Sequence, residues 1–208
     1  MRVGVFGGTF DPVHTGHLIL AEQCREQGRL DEVWFVPAPR PPQKDEGVLT
    51  RFEQRVEMLA LATAGNPAFK IDELEKERSG PSYTVDTLAE LRRRHGGHEF
   101  FLLVGSDTLA DLPHWHEPRR LLELAGLLVM ARPGNPVLSA DELRRRLGPP
   151  EAPLRLEVAQ TPLIDISSRD LRRRARGGRS LRYFLPRAVE CYIRDKRLYA
   201  PAEPPRAK

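Results

Sequence analysis

The chain has 208 residues and a net charge of +4, with 40% hydrophobic and 30% charged side chains, a balance that fits one substantial core with a small appendage. No apolar run approaches the roughly 20 residues of a membrane span, and the opening residues form a strand pattern without a basic leader, so a cytoplasmic protein with no membrane partner is expected. The two cysteines, Cys24 and Cys191, stand outside any ligand spacing and argue against a disulfide framework; arginine triplets at 92–94 and 144–146 fall on polar helix sides near acids, so nucleic acid is not expected as a partner.

In chain order, Val3, Val5 and Phe6 read as a short buried strand, and Gly7-Gly8 as a turn without side chains. Thr15 or Gly16 starts a helix whose apolar body runs from Leu18 to Gln27 and ends at Gly28. A strand, a phosphate-sized gap and a helix start make an anion seat, because the first helical turn leaves backbone N–H groups without intrahelical partners. His14 and His17, three apart, are placed to donate to the same anion.

Further along, Glu32 to Pro37 hold the next strand, followed by a stiff proline-rich loop from Pro37 to Lys44. Thr50 or Arg51 to Ala64 read as a helix, Phe69 to Ile71 as a short strand, and Ser82 to Arg94 as another helix. Glu99 to Val104 is the strongest buried strand, and Gly105-Ser106-Asp107 sets a carboxylate at the carboxyl edge of the sheet, where open α/β folds bind ligands. Leu109 to Leu112 and Arg119 to Leu124 are short helices, Leu127 to Met130 a strand, Ala140 to Leu147 an amphipathic helix, and Leu154 to Val158 the last strand. From Ile166 the chain turns helical, with a restart at Pro186. The alternation of strand and helix predicts a parallel α/β sheet. Residues 1–165 form the expected core, 166–200 a helical part completing the site, and 201–208 a tail without core pattern.

Two stretches carry the chemistry. Ser167 and Asp170 have the spacing of a capping box, so a second helix N-terminus offers backbone donors, and Arg172 in its second turn can grip phosphate oxygens in bidentate fashion. Gly7-Gly8-Thr9-Phe10-Asp11-Pro12-Val13-His14-Thr15-Gly16-His17 resembles the GGTFDPxHxGH signature of the HxGH nucleotidyltransferase superfamily, in the form of its bacterial nicotinate mononucleotide adenylyltransferase branch. Ile166-Ser167-Ser168-Arg169-Asp170-Leu171-Arg172 resembles the ISSTxxR signature of the same superfamily, with Arg169 where a threonine is usual. Pro41-Pro42-Gln43-Lys44, Pro81-Ser82-Tyr83-Thr84, Gly105-Ser106-Asp107 and Pro113-His114-Trp115-His116 resemble further segments of that family.

The resemblance implies a Rossmann-like open parallel sheet with helices on both faces and a small C-terminal helical subdomain. It implies ATP and nicotinate mononucleotide as substrates, nicotinate adenine dinucleotide and pyrophosphate as products, and Mg²⁺ carried on the triphosphate with no protein ligands. Gly7, Gly8, Thr9, Phe10, Gly105, Asp107, Ile166 and Ser168 would hold ATP, and His14, His17, Lys44 and Arg172 would carry catalysis. His17 and Arg172 would also grip the ATP phosphates. Thr9, Lys44, Tyr83, Thr84 and Trp115 would hold the mononucleotide, the indole face of Trp115 suiting a pyridinium ring.

The nearest rivals share this fold and differ in acceptor, being adenylyl- or cytidylyltransferases for phosphopantetheine or a small phosphorylated alcohol. An oxidoreductase is opposed by the lack of GxGxxG, and a zinc site at His14 and His17 by the lack of a third ligand.

Overall fold

The computed structural model describes residues 1–41, 49–131, 136–148, 153–162 and 164–200. Lys44 and the tail from Pro201 lie outside the described residues. The elements follow the expected alternation: β1 (Arg2–Gly8), α1 (Thr15–Gln27), β2 (Glu32–Pro37), α2 (Phe52–Thr63), β3 (Phe69–Ile71), α3 (Thr84–Arg94), β4 (Glu99–Gly105), α4 (Ser106–Asp111), α5 (Pro118–Leu124), β5 (Gly126–Met130), α6 (Ala140–Leu147), β6 (Leu156–Ala159), α7 (Ser168–Arg176) and α8 (Arg187–Asp195). All six strands pair in parallel in the order β3-β2-β1-β4-β5-β6. This is the doubly wound order whose direction of winding reverses between β1 and β4, and the crevice at that reversal is where such sheets bind ligands.

Because side chains alternate across a strand, each strand feeds two cores. Phe6, Val33, Phe35, Phe101, Leu103, Leu128 and Met130 face α1, α2, α7 and α8, where Leu20, Met58, Leu59, Leu171, Val189 and Ile193 cover them. Val3, Val5, Trp34, Val36, Phe100, Leu102, Val104, Leu127 and Val129 face the other way, onto Val85, Leu88 and Leu91 of α3 and onto α4, α5 and α6. The strands are apolar on both faces, the pattern of a sheet buried between helix layers. The helices after 166 pack into the first of these cores and share it with β1.

Several boundaries differ from expectation for local reasons. α3 begins at Thr84, two residues after the expected start, because Ser82 is engaged with the loop after β2: its N–H donates to Arg40 O (2.9 Å) and its hydroxyl accepts from Arg40 N (3.4 Å). α4 begins directly at Ser106, with Gly105 as its N-cap, so β4 passes into helix with no loop. β6 is shifted toward Ala159 and pairs on one side alone, leaving Val158 43% exposed while Ala159 is buried.

The turn from α1 into β2 has no room to spare. A Cβ on Gly28 would lie 2.7 Å from Leu128 Cδ2 and 2.8 Å from Cys24 O. Gly28→Ala is therefore expected to cost about 1–3 kcal/mol by overpacking, read as a lower urea midpoint with an unchanged slope.

Candidate active site

The loop between β1 and α1 carries the glycine-rich signature to the reversal point of the sheet. Gly7 is exposed, and a Cβ there would meet nothing within 4 Å, so the backbone is open to an approaching ligand. Phe10 turns the chain with φ 48°, buries its ring edge-on against Phe6 at 5.6 Å, and sets its edge against the His17 ring at 5.2 Å. The two histidines do not simply flank one helical face as the spacing suggested. His14 is the N-cap of α1 and is 4% exposed, while His17 lies in the first turn.

Their rings stack at 3.6 Å between centroids and cap the helix reciprocally: His17 N donates to His14 Nδ1 (3.3 Å), and His14 N to His17 Nδ1 (3.2 Å). A ring nitrogen that accepts an N–H bond carries no proton, so this hydrogen-bond pattern assigns both neutral imidazoles the Nε2–H tautomer. The Thr15 N–H is also engaged, by Phe184 O at 2.9 Å. The Thr15 and His17 amides are thus engaged within the chain, a correction to the expectation of open backbone donors there. Gly16 between them is needed for space: a Cβ there would stand 3.1 and 3.2 Å from the His14 ring and 3.2 Å from Ile164.

The start of α7 closes on this loop from far along the chain. Ser168 Oγ donates to Pro12 O (2.9 Å), and Arg172 Nη1 donates to Asp11 O (2.6 Å). Ser167 caps α7 as the spacing predicted: its Oγ accepts from Asp170 N at 3.1 Å and donates to Asp170 Oδ2 at 3.0 Å. Ile166 packs partly buried against the first core, and Arg169 is exposed. The two signature stretches, 156 residues apart between Pro12 and Ser168, therefore meet in space.

Beneath them lies a buried polar group that local sequence patterns did not reveal. Asp11 is fully buried; its Oδ2 accepts from Thr50 N (3.2 Å) and its Oδ1 from the Tyr199 hydroxyl (2.5 Å). Arg55, 1% exposed, donates to Thr9 O (2.7 Å), Ala38 O (2.9 Å) and Thr50 O (3.0 Å), joining the loops after β1 and β2 to the start of α2. Burial lowers the Arg55 pKa, and the charge of Asp11 works against that shift.

On the other side of the crevice, α3 starts without a side-chain cap, its N-cap being Tyr83. The first amides of this helix, around Tyr83 and Thr84, sit at the positive end of the helix dipole. The Tyr83 ring lies 4.3 Å from the His116 ring, a contact that no local sequence pattern foretells. Tyr83 and Trp115 both pack half-buried against the second core, at the carboxyl edge of the sheet. Buried Glu75 supports this turn from below: its Oε1 accepts from Thr87 Oγ1 (2.6 Å), and the Arg78 guanidinium lies 3.6 Å away. Burial raises the Glu75 carboxyl above its ordinary value. Asp107 is exposed in the first turn of α4, directly after β4. Among the described residues, no three His, Cys, Asp or Glu side chains are grouped to hold a metal ion, and no helix is long and apolar enough to cross a membrane.

The family model described as cytidylyltransferase-like matches residues 5–174. A Thermomicrobium roseum protein named "Probable nicotinate-nucleotide adenylyltransferase" is 46% identical over 202 residues, covering 97% of this chain and 93% of that one. A Thermus thermophilus protein of the same name is 46% identical over 96% of this chain and all of its own length. The chain belongs to the nicotinate-nucleotide adenylyltransferase family. A solved Plasmodium falciparum nicotinic acid mononucleotide adenylyltransferase, complexed with NaAD, superposes with a TM-score of 0.78 at 19% identity over 95% of this chain and 97% of that one. At that identity the likeness bears on the fold, and it spans nearly the whole of both chains. In this adenylyltransferase family member, the HxGH turn and the Arg172 turn form one wall of the crevice and the α3 turn forms another.

Two outcomes follow from the close packing and the buried acid. Gly16→Ala should push the His14 ring aside and slow turnover by about tenfold or more, while thermal unfolding stays close to that of the parent chain. For Glu75, a raised folded-state pKa means that its ionisation opposes folding, so stability is lost as pH rises through that pKa. Glu75→Gln should therefore gain stability relative to the parent as pH rises above the ordinary carboxylate range, measured as urea midpoints; a difference independent of pH would contradict this.

Proposed function

We propose that the crevice between β1 and β4 transfers the adenylyl group of ATP to nicotinate mononucleotide, with His14, His17, Lys44 and Arg172 as its catalytic cations and donors. The convergence of the HxGH turn with the start of α7 supports this reading, because it brings the stacked imidazole pair and the Arg172 guanidinium to one short turn of chain. A phosphate oxygen of the mononucleotide attacks the α-phosphorus of ATP in line. A new P–O–P bridge forms to the mononucleotide, the bond from the α-phosphorus to the bridging oxygen breaks, and pyrophosphate leaves with that electron pair.

The attacking phosphate is largely ionised at neutral pH, so no general base is required. What the protein supplies is alignment and neutralisation of charge on the phosphorus and the departing oxygens. The Nε2–H groups of His14 and His17 and the fork of Arg172 donate to those oxygens. Ser168, Gly7, Gly8, Thr9 and Phe10 border the nucleotide, Ile166 its base, and Gly105 with Asp107 its ribose. Lys44 is assigned to the acceptor phosphate on its place in the proline-rich segment of the sequence. The Thr84 amide receives the nicotinate carboxylate at the α3 dipole, beside Tyr83, whose own N–H donates to Pro81 O (3.1 Å), with the pyridine ring on Trp115.

The family uses ATP. We assign the metal as Mg²⁺, held by the triphosphate, where it would offset charge on the leaving pyrophosphate. Residues 166–200 complete the ATP side, and the chain works in the cytoplasm. Purified protein with ATP, Mg²⁺ and nicotinate mononucleotide should release pyrophosphate rapidly, and with phosphopantetheine hardly at all; the reverse ranking would discard the acceptor assignment. His17→Ala should lower kcat by about a hundredfold or more with its circular dichroism unchanged, and turnover like that of the parent chain would remove His17 from the mechanism.

A further inference from the structure

From the buried contact between Tyr199 and Asp11 we infer that Tyr199 is a positioning residue for adenylyl transfer, acting through Asp11 on the phosphate-binding wall. The inference rests on the site assignment just made. Tyr199 Oη donates to Asp11 Oδ1 at 2.5 Å, across 188 residues of sequence. Asp11 stands in the middle of the glycine-rich signature, and its side chain is fully buried. With its side chain shut off from solvent, its influence runs through what it holds.

Its side chain accepts from Thr50 N (3.2 Å), and its carbonyl accepts from Arg172 Nη1 (2.6 Å). The next residue, Pro12, takes the Ser168 hydroxyl at 2.9 Å. Two residues on from Pro12, His14 begins the stacked imidazole pair. A rotation of Asp11 therefore moves the Arg172 fork and the histidine turn together.

The backbone around Tyr199 supports a function beyond filling space. Arg197 and Tyr199 hold φ values of 52° and 61°, a region that side chains other than glycine seldom occupy. Such conformations persist where the surroundings fix them and concentrate at functional sites. Here they carry the chain past α8 so that Tyr199 packs half-buried on the first core with its hydroxyl on Asp11. Burial, and after it the neighbouring charge of Asp11, raises the Tyr199 pKa, so the hydroxyl keeps its proton and donates.

The test compares Tyr199→Phe, Asp11→Asn and the double variant, with Tyr183→Phe as a control on an 87% exposed ring. Steady-state kinetics with ATP and nicotinate mononucleotide are read at about 25 °C beside the thermal midpoint. Tyr199→Phe keeps the ring, so the fold should hold, while kcat falls on the order of tenfold and KM for the mononucleotide changes less than about twofold. Because the two groups act as a unit, the double variant should lose no more kcat than Asp11→Asn alone. Multiplicative losses in the double variant would overturn the inference. So would a folded Tyr199→Phe with kcat within about twofold of the parent, or a Tyr199→Phe that does not fold, since the hydroxyl would then be needed for folding alone. If His17→Ala abolishes turnover while Tyr199→Phe does not affect it, the inference fails and the site assignment stands; an active His17→Ala removes the site assignment itself.

Discussion

A guanidinium shut away from water with three backbone carbonyls around it sets the shape of this crevice. Arg55 cannot rehydrate at 1% exposure, and the carbonyls of Thr9, Ala38 and Thr50 have it as their donor. Leaving a buried acceptor without its bond costs about 1–3 kcal/mol each, and an unpaired buried cation costs more. The nearby charge of Asp11 opposes the lowering of the Arg55 pKa, so the pair sustains itself in a place where either alone would be unfavourable. The loop after β1, the loop after β2 and the start of α2 are thereby held to one mutual arrangement.

That arrangement decides what the ligand-facing atoms can do. The turn that Asp11 and Pro12 build presents His14 as the helix cap, and the cap hydrogen bonds choose which ring nitrogen keeps its proton. Backbone geometry in this way fixes how the two rings are held against each other. The opposite wall is built differently: α3 starts with no side-chain cap, and its N-cap residue Tyr83 donates its own N–H to Pro81 O (3.1 Å). The sheet brings the two walls together because β1 and β4 are neighbours at the reversal of its order.

Much of this was legible in the sequence because it is written in local, periodic signals. The apolar runs Val33-Trp34-Phe35-Val36 and Phe100 to Val104 mark strands covered on both faces, and both sit at the heart of the sheet. The contiguous glycine-rich signature and the Ser167 cap lie where their spacing predicted. What escaped were solitary residues whose partners are remote. Arg55 looks like any polar residue of an amphipathic helix, and its bonds go to carbonyls, which leave no trace in residue identity. Glu75, in an acidic and basic stretch, reads as solvated until tertiary packing buries it against Thr87. The start of α3 was misplaced for the same reason: only the distant Arg40 shows why Ser82 is occupied.

The span of the contacts between α7 and the first loop also bears on how the molecule is assembled. Pro12 with Ser168 and Asp11 with Arg172 join positions 156 and 161 residues apart. Pairings so distant repay their loop-closure entropy only after the intervening chain has ordered, and they tend to form late. The strands and their flanking helices can acquire native form while the nucleotide crevice is still open on one side. During refolding, competence to turn over substrate would then lag the recovery of helical signal, and the interval between the two would time the docking of α7.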